Sequence, residues 1–365
     1  MTTILQLGEI ASVVMGQAPS GKDCNKEGNG YPFVKAGEFS ADRPVIREWT
    51  TNPLKKAKDG DILVCVVGAT AGKVNLGIDC AIGRSVAAVR PLPQRLDTSY
   101  LHHFLKTKTL ILRQGSQGVA QGVITREMLL GIEIPLPPLE EQRRIAAILD
   151  KAGELSDANR RRRDLLKAFP ISLYKQMFGD PRRNSLHWPI FRLGEICLNE
   201  DARRVPVKSS DRKAMQGLYP YYGASGVIDY VDDYLFDGQR LLVGEDGANL
   251  IARSSPIAFI ADGRYWVNNH AHVLGENGNA KLRFLEYYFA SIDLKPFVTG
   301  SAQPKLTRSA LDSLPVPLPP MDLQERFESE LTAWDNKLAQ AEISERQTSS
   351  LGSALRHVSF QGDPG

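Results

Sequence analysis

Apolar residues in this chain fall into three patterns. The first is short and rich in β-branched side chains: Ile62, Leu63, Val64, Cys65, Val66 and Val67 lie between Gly60 and Gly68, as in a buried strand. Segments 85–90, 240–243, 257–260 and 271–274 are similar. The second is helical and covers 99–106 and 281–292, where Leu282, Leu285, Phe289 and Ile292 share one face. Gly and Pro recur between these elements, so many turns are expected. The third is long. After Pro135, Pro137 and Pro138, the positions Ile145, Ile148, Ala152, Leu155, Asn159, Arg162, Leu166 and Phe169 alternate steps of three and four, the spacing of a coiled-coil seam. Asn159 and Arg162 interrupt it, Asn159 in the manner of a register-fixing residue. Pro170 is expected to end or kink this helix. Phe327, Leu331, Trp334, Leu338 and Ala341 repeat the spacing, which then weakens. Two such helices most simply pair with each other, antiparallel; the alternative is that each packs on its own domain. At ~1.5 Å per residue, 138–169 would span roughly 48 Å.

The chain also repeats itself. Thr125, Arg126, Leu129, Pro137 and Gln142 have ungapped counterparts in Thr307, Arg308, Leu311, Pro319 and Gln324. Leu7, Gly8, Glu9 and Ile10 answer Leu193, Gly194, Glu195 and Ile196. Each half runs from that start through a variable body to a short Thr-Arg helix, a Pro-rich exit and a long polar helix. The bodies between these landmarks hardly resemble each other. A shared frame around dissimilar bodies suggests one mounting scheme presenting two different surfaces; a drifted duplication is the plainer alternative. The expected architecture is α+β. Two mixed α/β domains, 1–137 and 181–319, are separated by a long antiparallel two-helix coiled coil from 138–180 and 320–356, with a tail at 357–365.

A length of 365 residues fits two domains, or three. Apolar residues make up 42% and charged residues 24%, a globular composition that excludes wholesale disorder. No apolar run approaches the ~20 residues of a membrane helix, and the first residues lack the features of a signal peptide. Cys24, Cys65, Cys80 and Cys197 are scattered with no C-x-x-C pair, against both a disulfide framework and a zinc knuckle. A cytoplasmic location without a membrane partner is expected. Net charge is +3, too weak by itself to claim a nucleic-acid partner.

Catalytic signatures are mostly missing. Gly68, Gly72 and Lys73 resemble a phosphate loop, but the glycines are one residue too close and Val74 stands where Ser or Thr would bind magnesium. Bringing backbone and Lys73 to a DNA phosphate is a better use of this loop, and a hairpin turn is the alternative. Asn268, Asn269, His270, Ala271 and His272 form the most polar cluster of the second body. His270 and His272 would share a strand face as metal ligands do, but no Cys or carboxylate adjoins them in sequence, and no metal site is expected. Asn pairs with adenine edges and His donates to phosphates or bases, so DNA contact and a structural hydrogen-bonding role both stay open. Glu245 and Asp246 form an acidic turn without an evident catalytic partner. Of Tyr219, Tyr221, Tyr222, Tyr230 and Tyr234, most are expected in the core, with Tyr221 and Tyr222 as exceptions. No catalytic residue is assigned.

Together these landmarks resemble the specificity subunit of type I restriction-modification systems. The resemblance rests on the runs at 136–145, 177–181, 221–226, 245–249, 268–272 and 81–84, and above all on their order. It implies two target-recognition domains, each reading one half of a bipartite double-stranded DNA site. It also implies a coiled coil that sets the gap and docks methyltransferase subunits, expected as two. S-adenosylmethionine, ATP and magnesium are then expected on those and on restriction subunits, with no cofactor in this non-catalytic chain. The alternatives are a coiled-coil interaction scaffold with no DNA role, and a self-contained DNA-modifying enzyme. Residue type and loop placement nominate Gln17, Lys22, Lys35, Thr70, Lys73, Arg84, Gln117 and Gln121 as DNA contacts of the first body. For the second they nominate Tyr221, Tyr222, Asp246, Asn249, Asn268, Asn269, His270, Gln303 and Lys305.

Overall fold

The computed structural model describes residues 3–117, 123–300 and 303–360, with the backbone alone at 115–117. The chain divides into two units, one formed by Met1–Arg160 with Ile343–Gly365 and the other by Arg161–Glu342.

The main sheet of unit 1 has the order Ala11–Met15, Val86–Pro91, Ile62–Cys65, Val74–Leu76, each strand antiparallel to its neighbour. Side chains alternate across a strand, and Ile62–Cys65 is buried on both faces. Ile62 and Val64 join a core with Tyr100, Leu101, Phe104 and Leu105 of the helix Thr98–Gln117. Leu63 and Cys65 face Val34, Cys80 and Ile82 of a second sheet, with Phe39 packed beside them. In that sheet Tyr31–Val34 and Cys80–Ile82 run parallel. The result is three layers: helix, sheet, sheet.

Unit 2 repeats this plan. Its main sheet has the order Cys197–Asn199, Ala271–Glu276, Arg240–Gly244, Ala258–Ala261. Leu241, Val243 and Leu274 face the helix Leu282–Ser291, while Leu242 and Val273 face Phe236, Tyr265 and Val267. The second sheet again contains one parallel pair, Gln216–Gly223 with Arg264–Val267. Bodies that differ in sequence therefore share the strand order of the main sheet, while their second sheets have five and four strands.

The residues that do repeat in sequence make the joints. Thr125 and Thr307 cap the short helices Arg126–Leu130 and Arg308–Asp312, each hydroxyl accepting from the backbone N–H three residues on. Gln142 and Gln324 are buried. Gln142 accepts from Asp97 N at 2.9 Å and donates to Arg95 O and Pro137 O. Gln324 accepts from Lys281 N and donates to Pro319 O.

Two helices of 40 residues, Leu139–Phe178 and Met321–Phe360, run on where the sequence predicts an end. Pro170 lies inside the first. The turns beyond it bury Leu173, Tyr174 and Phe178 in the unit 2 core, and this packing offsets the hydrogen bond that proline removes. The second passes both Ala341 and the expected start of a tail at 357. Phe360 sets its ring against Tyr100 and Phe104 of unit 1.

The helices pair antiparallel within each unit. In unit 2 Phe169 stacks on Trp334 at 3.8 Å, Trp334 Nε1 donates to Leu166 O, and Lys167 meets Glu342. In unit 1 Asn159 donates to Thr348 Oγ1. The seam is partly corrected: Ile148 and Leu155 are 42% and 49% exposed, and the inward stripe there runs through Gln142, Ala146 and Leu149. Past Ala341 it continues through Thr348 and Gly352. Small and polar residues let the helices meet there without an apolar signal in the sequence. No helix among the described residues is long and apolar enough to cross a membrane.

Unit 1 also buries His102 and His103 on Thr98–Gln117. Burial, then the nearby Lys106 and His103, push His102 down to about 3. Below an ordinary value near 6.5 the unfolded chain takes up a proton that folded His102 refuses, so stability is full above that pH and falls as pH drops toward 3. The expected slope is about 1.4 kcal/mol per pH unit. Urea unfolding of unit 1 at pH 7.5 and 5.5 should show this loss, and His102→Leu should reduce it. An equal loss in that variant would assign the acid sensitivity elsewhere.

Candidate nucleic-acid interface

One end of each main sheet gathers the candidate residues. In unit 1, Gly16 N donates to Val86 O, Gln17 N to Ile82 O, and Gly83 N to Val34 O. A Cβ on Gly16 would lie 2.1 Å from Gly83 O, so this close approach requires glycine. The packed backbones put Gln17 and Arg84 on one rim, both exposed. Lys35 borders it, its stem against Gly83 and its ammonium paired with Glu48. Val66 N donates to Ser85 O, which joins the loop carrying exposed Thr70 to the same rim. Lys22 is exposed in the turn Gly21–Asp23.

Lys73 is a correction. Its Nζ donates inward to Phe39 O at 3.1 Å, because Val74–Leu76 begins just after it and turns the side chain toward the second sheet. Gln121 and the side chain of Gln117 lie outside the described residues.

In unit 2 the matching end is formed by 245–249, 268–270 and 303–306. Four nominated residues point inward. Tyr221 is 1% exposed and its hydroxyl accepts from Val207 N at 2.9 Å. Tyr222 packs its ring on Phe259 and Tyr265. Asn249 accepts from Ser255 N and donates to Ser255 O, which closes its own loop. Asn268 is buried and accepts from His270 N, an Asx turn. Both tyrosines are covered because the strand is packed on both faces, Tyr221 against Val231 and Trp266 and Tyr222 against Phe259 and Tyr265.

Asn269, His270, Gln303 and Lys305 remain on the surface, with Asp246 partly exposed. His270 Nδ1 faces the Asp246 carboxylate at 2.8 Å. If that nitrogen donates, as a carboxylate partner requires, Nε2 is left to face outward.

Beneath this rim lies a group that sequence reasoning did not assemble: Asp201, Arg204, Glu245 and His272. Arg204 reaches Glu245 at 2.7 Å and Asp201 at 3.2 Å, and Lys305 reaches Glu245 at 3.1 Å. Burial opposes ionisation of Asp201 more strongly than any other single influence. The hydrogen bond and charge of His272, the Val273 N–H and Arg204 together outweigh it and hold the carboxyl below its ordinary range. Glu245 is also lowered: burial opposes, and Arg204 and Lys305 prevail. Asp201, Glu245 and His272 offer atoms within 4.8 Å of one another, but the arginine, the lysine and the ring's own hydrogen bonds already occupy them. His270 and His272 do not converge: one is exposed, the other buried. Nothing in the sequence placed Asp201 or Arg204 beside residue 272, since the contact forms only when Cys197–Asn199 pairs with Ala271–Glu276 in the main sheet.

A tandem α+β chain with one sheet plan and two unlike loop rims is a defined class of protein. Both halves match the type I restriction modification DNA specificity domain, over residues 2–168 and 186–346, and the chain belongs to this family. It is 40% identical over 134 residues, 36% of its length, to a putative type I restriction enzyme specificity subunit of Haemophilus influenzae. It is 21% identical over 97% of its length to the MjaVIII specificity subunit of Methanocaldococcus jannaschii, covering 90% of that protein. The match spans only 33% of the Haemophilus protein and 39% of a second relative, the putative MjaX specificity subunit of M. jannaschii. In fold it is similar to the S subunit of a type I restriction-modification system from M. genitalium, with TM-score 0.63 and 18% identity, covering 99% of this chain and 96% of the other.

Proposed function

We propose that this chain is the sequence-specific DNA-binding specificity subunit of a type I restriction-modification complex. Each unit reads one half of a bipartite target through its rim. The paired helices fix the spacer and dock two methyltransferase subunits, and restriction subunits complete the assembly. S-adenosylmethionine, ATP and magnesium serve on those partners. One observation carries the reading: two units whose main sheets share one strand order present chemically different groups at the same end of that sheet. Two unlike half-sites need two unlike surfaces, while a common mounting needs a common frame.

The test is coexpression with the methyltransferase subunits and mapping of modified adenines across a genome. A split motif modified in both halves is the expected result. Modification at an unbroken site would oppose the two-reader scheme, and modification or cleavage by the purified chain alone would favour a self-contained enzyme.

Arg84 and Lys73 of unit 1 separate cleanly. Arg84→Ala should lower the slope of log affinity against log salt by about 0.9 without changing the recognised sequence, as for one lost phosphate contact. Lys73→Ala should leave that slope unchanged and cost roughly 1 kcal/mol of stability through the lost hydrogen bond to Phe39 O. The reverse pattern in a salt titration would move the phosphate contact to Lys73.

A further inference from the structure

The two units hold their rims by different physics. Unit 1 uses glycine: Gly16 and Gly83 pack backbone on backbone. The strand Val86–Pro91 has Arg90 as its single ionisable group, and Arg90 pairs with Asp61 at the opposite end of the sheet. In unit 2 the strand in the same place carries His272, 1% exposed. Its Nδ1 lies 2.6 Å from Asp201 Oδ2 and its Nε2 2.8 Å from Leu306 O. A carbonyl oxygen only accepts, and Asp201 Oδ2 also receives Arg204. Both ring nitrogens therefore face oxygen acceptors, a carboxylate on one side and a backbone carbonyl on the other.

This two-sided contact ties together what the rim needs held together. Leu306 N donates to Glu245 O, and Glu245 N donates to His270 O. Arg204 adds a bond to Ala271 O at 2.7 Å. Segments 245–246, 268–270 and 303–306 thus share one anchor, and each carries a nominated contact, partly exposed at Asp246 and exposed in the other two.

We propose that His272, held between Asp201 and the Leu306 carbonyl, is a positioning residue for the second unit's share of DNA specificity. It touches no DNA. It fixes the register of His270 and Asp246 against Lys305 and Gln303, so that the three segments meet their half-site as one rigid surface. This rests on reading the chain as a specificity subunit. A merely structural histidine would, on removal, lower yield or stability and weaken both half-sites alike. A positioning histidine leaves one half intact and loosens the other.

The experiment is adenine mapping with His272→Phe and Asp201→Asn in the coexpressed complex. Asp201→Asn is close to isosteric and decides the matter if His272→Phe fails to assemble. Wild type must first give a split motif; an unsplit one overturns the functional reading on which this rests. Given a split motif, the variants are expected to lose about tenfold in discrimination at positions of one half, the scale of one misread base pair, with the other half unchanged. Unchanged discrimination at every position, or equal loss in both halves, overturns the positioning role.

Discussion

Phe327→Ala is expected to destabilise unit 2 by about 3–5 kcal/mol, the range for a large aromatic removed from a close-packed core. Phe327 is fully buried on the C-terminal helix and meets Tyr174 and Phe178 of the central helix edge-on, with Tyr287 of the domain body on another side. It packs three elements of the unit 2 core against one another. The rings around it are held by their own neighbours, Tyr174 on Phe284 and Phe178 on Phe284, so the space left behind cannot collapse cheaply. Urea unfolding should show an earlier transition for unit 2, and the coexpressed complex should methylate poorly at elevated temperature. A loss under about 1 kcal/mol would mean that the aromatic cluster repacks and that the helix is anchored elsewhere.

Gln142→Leu is expected to do comparable damage in unit 1 by different means. The substitution keeps volume but strands Asp97 N, Arg95 O and Pro137 O, which the amide now satisfies. A buried polar group left without a partner costs about 1–3 kcal/mol. Gln324→Leu in unit 2 strands only Lys281 N and Pro319 O, so its effect should be the smaller of the two. Gln142→Glu should fall between wild type and leucine, because it still accepts from Asp97 N but no longer donates. Denaturant titration of the three variants checks the order. Equal stability of Gln142→Leu and wild type would show that water reaches the joint.

The amino-acid sequence by itself determined the tandem frame, because the residues that make its joints recur at matching positions in both halves. A threonine caps the N–H three residues on, and a glutamine closes the start of a helix wherever the same neighbours recur. The buried strand at 62–65 was legible too: apolar residues bounded by glycine leave few alternatives. The long helices were legible in existence but not in extent. Pro170 is passed and the pairing continues beyond Ala341 because distant side chains, Tyr174 in one case and Phe360 in the other, find cores to enter. Only the tertiary structure decided which polar residues form the rims. Lys73, Tyr221, Tyr222, Asn249 and Asn268 have suitable chemistry and face inward; Arg84, Asn269 and His270 face out. That choice depends on which side of a sheet each residue lands and on what covers it, and both are set by contacts between segments far apart in the chain. Asp201 and His272 are the plainest case, since their 2.6 Å contact exists only once the strands between them have been laid in order.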